Sequence, residues 1–140
     1  MAAWLAVFGI TNAGFGLSHV LGHQIGPRWN VAHGVTSAIM LPHAMRFMAG
    51  AVPERFAAIA AGFGVPFDAH DPARGALACA DRATAFIAQF NLPMRLRDVA
   101  VPEGELGDVV PHVLDVLAGA NIIGRPITRA DVIGLLTAAY

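Results

Sequence analysis

No charged side chain occurs before Arg28, a span long enough to be read as a membrane helix or as a helix buried in a protein core. The run is also interrupted by Asn12, Ser18, His19, His23 and Gln24 and by glycines at 9, 14, 16, 22 and 26. A membrane span should hold few such groups, and no basic segment precedes the apolar stretch as in a secretory leader. The better reading is a helix from Ala2 to about Gln24, apolar on every side and buried in the core, which Pro27 ends.

Helical punctuation continues along the 140 residues, and strand patterns are almost absent. A second helix is expected from Ala32 to Met48, with a kink at Pro42. Pro53 and Glu54 open the next, where Phe56, Ile59, Ala60 and Phe63 make one apolar face before a Gly64 cap. Asp71-Pro72 reads as an N-cap followed by proline in the first turn, with Leu77, Ala80, Thr84, Ile87 and Phe90 continuing to about Asn91. Leu92 to Glu103 should be an irregular connection. A helix from about Gly104 to Ala118 follows, turning Leu106, Val109, Val110, Val113, Leu114 and Leu117 inward. Thr128 and Asp131 have capping-box spacing for a last helix presenting Val132, Ile133, Leu135 and Leu136. The expected fold is all-α: one domain over residues 1–140, a bundle of about six helices.

Composition excludes several functions. Nine basic residues, all arginine, balance ten acidic ones to a net charge of −1, which gives no phosphate-tracking face and no case for nucleic-acid binding. With Cys79 alone, neither an intrachain disulfide nor a cysteine zinc site can form, which fits a cytoplasmic protein. At 56% hydrophobic and 14% charged residues, the chain is apolar enough to expect a partner surface, in a homo-oligomer or against another domain.

Chemistry concentrates in Ser18-His19-Val20-Leu21-Gly22-His23 and Ala32-His33-Gly34. His19 and His23 are four apart and share one helix face; His33 opens the next helix beyond a turn, from which it can point back at them. Imidazole suits iron, zinc and similar divalent ions, although such pairs are also common as purely structural histidines. The other candidates favour structure. Asp68, His70 and Asp71 read as a helix-capping loop, Cys79 as a small buried hydrophobe, His43 and His112 as structural. Gly14-Phe15-Gly16 and Gly62-Phe63-Gly64 follow no strand and are not dinucleotide fingerprints.

The run Gly16-Leu17-Ser18-His19-Val20-Leu21-Gly22-His23-Gln24-Ile25-Gly26, continued by Ala32-His33-Gly34-Val35-Thr36-Ser37-Ala38-Ile39-Met40-Leu41-Pro42-His43, resembles the signature of iron-containing (group III) alcohol dehydrogenases. Looser similarity extends through Arg46-Phe47-Met48, Leu92-Pro93, Leu96-Arg97-Asp98 and Asn121 to Thr128, so the resemblance covers essentially the whole chain. It implies the helical C-terminal domain of an enzyme that interconverts alcohol and aldehyde or ketone with NAD(P). It implies a divalent metal, Fe2+ or Zn2+, held by an aspartate and three histidines. The last two of those histidines match His19 and His33. His23 matches the histidine beside the nicotinamide and substrate, a catalytic group assigned to proton relay or positioning.

Ala32 stands where the family usually has proline. The family's cofactor domain and its first two metal ligands fall before the position of Met1. The expectation is therefore weak or absent metal binding and no activity for this chain alone. Phe15, Trp29, Phe47 and the loop near Asn121 are candidates to shape a substrate pocket. Maleylacetate reductases resemble the chain in the same region, and a non-catalytic helical module is the rival of another class.

Overall fold

The computed structural model describes residues 16–118 and 123–140, and among these six α-helices and no strand are found. They are α1 (Leu17–Trp29), α2 (His33–Ala51), α3 (Ala57–Phe63), α4 (Pro72–Ile87), α5 (Val110–Val116) and α6 (Arg129–Ala138), joined in places by short 3-10 turns. The all-α expectation holds. The part of the first expected helix before Gly16, and Phe15 and Asn121 as pocket residues, lie outside the described residues.

In α1, Leu17, Val20, Leu21, Gly22, Ile25 and Gly26 are buried. Pro27 does not end this helix; it lies inside it, two residues before Trp29. Termination falls instead to Asn30, which takes the left-handed conformation (φ 52°) and gives its N–H to the Gly26 carbonyl, as Val31 also does at 2.9 Å. A proline this close to a helix end disturbs only the final turn, so its steric cost is tolerated.

Close packing of α1 on α2 depends on two glycines four residues apart. A Cβ at Gly22 would stand 3.1 Å from the Thr36 hydroxyl oxygen, and one at Gly26 would stand 3.0 Å from the Val31 carbonyl. The helices therefore meet at backbone distance. α2 itself runs through Pro42 to Ala51.

Two hydrophobic clusters divide the interior. The larger joins Leu17, Leu21 and Ile25 of α1, Ile39 and Met40 of α2, Val110 and Val113 of α5, and Val132, Leu135 and Leu136 of α6. The smaller is made of Ala49, Phe56, Ala60, Ala76 and Cys79. Here the structure corrects the faces read from periodicity: Ile59, Phe63, Leu77 and Phe90 are exposed, while Gly75, Ala76, Cys79, Ala80, Ala83 and Ile87 form the buried side of α4. Small side chains let helix backbones approach, and that approach turns the larger residues outward. Burial also pushes the Cys79 thiol up, in keeping with a small hydrophobe.

Asp71 precedes α4 as expected, but its side chain makes no capping bond. Asp68 supplies the local order instead, its carboxylate accepting the His70 N–H at 2.8 Å. The helix expected from Gly104 to Ala118 divides into a 3-10 segment, Glu103–Val109, and α5. Pro111 lacks an N–H, so the α-helical ladder can only start at about that residue. The irregular Leu92 to Glu103 connection contains one 3-10 turn, Leu96–Val99, pinned by the Leu96 N–H to the Ala139 carbonyl at 2.9 Å.

The capping box of α6 forms as its spacing implies. The Thr128 hydroxyl accepts the Asp131 N–H at 3.2 Å, and the Asp131 carboxylate accepts the Thr128 N–H at 2.8 Å. Arg125 also donates two bonds to that carboxylate, at 2.6 and 2.9 Å. The arginine foremost, with the Thr128 donors, holds the Asp131 carboxyl well below the usual carboxylate range despite its burial. A carboxyl depressed in the fold contributes stability above its unfolded pKa of about 3.9, and that contribution is lost as pH falls toward the folded value. Asp131→Ala is expected to cost about 1–2 kcal/mol near neutral pH, on the scale of a lost cap. In denaturant melts the gap between variant and wild type should narrow steadily below about pH 4; a gap independent of pH would show that the carboxylate charge contributes nothing.

Candidate metal centre

Residues 19 and 23 fall one turn apart on α1, and His33 is the first residue of α2. The α1–α2 contact brings all three imidazoles together. Ring centroids lie 4.2 Å apart for His19–His23, 4.8 Å for His23–His33 and 5.2 Å for His19–His33. One ring nitrogen from each residue can be chosen so that all lie within 4.8 Å of one another. The predicted site residues therefore converge, and the three histidines form the one group of potential metal ligands among the described residues.

Their environments differ. His19 is half-buried, with its Nε2 shielded from solvent, whereas His23 and His33 are exposed. Burial lowers the His19 pKa, and the neighbouring His23 and His33 lower it further. The ring is thereby kept neutral, the form in which a histidine can ligate.

The donor set fits a divalent transition metal. Ligand bonds of about 2.0–2.1 Å in a tetrahedral site place ligand nitrogens roughly 3.4 Å apart. The chosen ring nitrogens, all within 4.8 Å of one another, approach that spacing. Three imidazoles without a carboxylate give an incomplete shell with coordination positions to spare.

The other sequence candidates stay apart from this cluster. Asp68, His70 and Asp71 order the turn before α4. His43 is half-buried on α2, its pKa lowered by burial and by Arg46. Trp29 packs against the large hydrophobic cluster and gives its indole N–H to Glu105 at 3.0 Å, while Arg28 pairs with Asp108. These contacts fasten the end of α1 to the 3-10 segment. Phe47 packs on the same cluster.

Sequence reasoning did not single out Thr36. It is the buried polar residue among the described residues, and its hydroxyl donates to the His33 carbonyl at 2.9 Å, with a longer limb of 3.4 Å to the Gly22 carbonyl. The available signal was a threonine three residues after a candidate ligand, opposite glycines spaced four apart.

The family model described as "Fe-containing alcohol dehydrogenase family, C-terminal" matches residues 1–140. Lactaldehyde reductase of Escherichia coli K12 is 31% identical over 141 aligned positions, covering 100% of this chain and 36% of that protein. A 1,3-propanediol dehydrogenase of Klebsiella pneumoniae is 36% identical over 129 positions, covering 89% and 32%. Among solved structures, an alcohol dehydrogenase from Oenococcus oeni superposes with a TM-score of 0.84 at 25% identity, over 99% of this chain and 36% of that one. The chain thus spans about a third of the length of these relatives. With its whole length matched by the family model and its three histidines gathered at one point, the chain belongs to the Fe-containing alcohol dehydrogenase family, in its C-terminal part.

Proposed function

We propose that these 140 residues are the helical, metal-holding part of an NAD(P)-dependent dehydrogenase that interconverts small alcohols with aldehydes or ketones. The observation that carries the reading is the imidazole triangle on α1 and α2 in a member of this family. The relatives' names support small alcohols and aldehydes as the substrate class, since they include lactaldehyde reductase, 1,3-propanediol dehydrogenase and NAD-dependent methanol dehydrogenase.

In this reading His19 and His33 hold the ion, the first through a ring kept neutral by burial. When bound, a divalent ion such as Fe2+ or Zn2+ supplies Lewis-acid polarisation of a substrate oxygen, and the nicotinamide supplies the hydride acceptor or donor. His23, exposed beside His19, passes the alcohol proton through a ring nitrogen to solvent. The cofactor site and the remaining ligands come from polypeptide outside these residues, so the chain works with a partner domain or in an oligomer. No described helix is long and apolar enough to cross a membrane, and a cytoplasmic setting belongs to the same proposal.

A chimera tests it. These residues replace the C-terminal part of the 1,3-propanediol dehydrogenase, and NAD+ reduction by the diol is followed. Activity is expected, and His33→Ala in the chimera is expected to remove it. A folded chimera that binds NAD+ but leaves the diol unoxidised would overturn the proposal.

A further inference from the structure

We infer that Thr36 is a positioning residue of the histidine centre, fixing the third imidazole against the other two; its bearing on metal binding rests on the function proposed above. Three observations carry it. Thr36 is fully buried between α1 and α2. Its hydroxyl has a single proton, given mainly to the His33 carbonyl at 2.9 Å and shared with the Gly22 carbonyl at 3.4 Å. The Gly22 carbonyl belongs to the same peptide unit as the amide of His23, so one hydroxyl spans the backbone beside His23 and the backbone of His33.

The surroundings are built for that contact. Gly22 leaves room for the hydroxyl, because a Cβ there would lie 3.1 Å from its oxygen. Gly26, one turn on, has the Thr36 methyl 4.0 Å from the place where its own Cβ would be. His33 needs such a tie. It sits at the first position of α2, preceded by Ala32, whose side chain offers no cap. Helix ends fray readily, and a ligand on a first turn without a side-chain cap would otherwise wander relative to α1.

Thr36 differs from an ordinary core residue in what its loss should do. Thr36→Val keeps the shape and removes the hydroxyl. Thr36→Ser keeps the hydroxyl and removes the methyl. If the hydroxyl positions His33, the valine variant loses the geometry and the serine variant keeps it, whatever each does to stability.

The experiment uses the full 140-residue chain and two readouts. The first needs no metal: nuclear Overhauser contacts between the His33 ring protons and those of His19 and His23, which centroids at 5.2 and 4.8 Å allow. The second is Co2+ titration at a temperature where every variant is folded by circular dichroism. Thr36→Val is expected to lose the His33 ring contacts and to bind Co2+ about tenfold more weakly, the lower end of what outer-shell partners contribute. Thr36→Ser is expected to keep both.

Equal ring contacts in wild type and Thr36→Val would overturn the inference, as would serine and valine variants that fail alike. If the wild-type chain shows the ring contacts and takes up no Co2+, the ion needs the ligands from outside these residues. The ring contacts of the two variants then decide the positioning role on their own.

Discussion

Replacing His19 with alanine is expected to lower the Co2+ or Zn2+ affinity of the chain by about two orders of magnitude or more. Loss of an outer-shell partner already costs about 10–100-fold, and here a ligand itself is removed. Of the three imidazoles, His19 is the half-buried one and is held neutral by burial, so it surrenders least on ligation. The exposed His23 should matter less, because it stands beside the proposed ligands and is not one of them. Isothermal titration of wild type, His19→Ala and His23→Ala gives the ranking directly. Wild-type binding should be weak enough to be lost on dialysis, since the site offers imidazoles and no carboxylate. A His19→Ala chain that binds as tightly as wild type would place the ion elsewhere.

The second large effect concerns the scaffold. Leu136→Ala is expected to destabilise the chain by about 2–5 kcal/mol, the range for emptying a leucine site in a packed interior. Leu136 is fully buried on α6, in the same cluster as Leu21 and Ile25 of α1. The cavity would lie in the large cluster, where α6 packs on α2 and α5. Leu77→Ala serves as the control. Leu77 is 45% exposed, and its truncation should change stability by no more than about 0.5 kcal/mol. Denaturant melts of both variants measure the contrast; similar losses would mean that the assigned core is wrong.

The features legible in the sequence were those fixed by neighbours along the chain. The Thr128–Asp131 box depends on a three-residue spacing and forms as read. The His19–His23 pair depends on one helical turn, and the return of His33 on a short connection through Asn30. What escaped depends on partners distant in sequence. Spacing through Leu77 and Phe90 marked the α4 region as helical without telling which side is buried; its alanine side packs on α2 and leaves Leu77 exposed. Pro27 read as a stop signal, whereas the left-handed Asn30 sets the end of α1. Asp71 had the residue type and place of a cap, yet Asp68 holds the turn. The contact of Thr36 with Gly22, fourteen residues earlier, is set by the packing of α1 on α2.

The unequal division of the interior has a consequence for how the molecule comes apart. The smaller cluster offers five buried residues, three of them alanine, whereas the larger draws on α1, α2, α5 and α6 together. Regions with little buried apolar surface open at lower free energy than the rest. Fluctuations that expose amides to exchange should therefore begin in α3 and α4, before the buried faces that α1, α2, α5 and α6 share come apart. The imidazole triangle is mounted on two helices of the larger cluster, apart from the segments expected to open first.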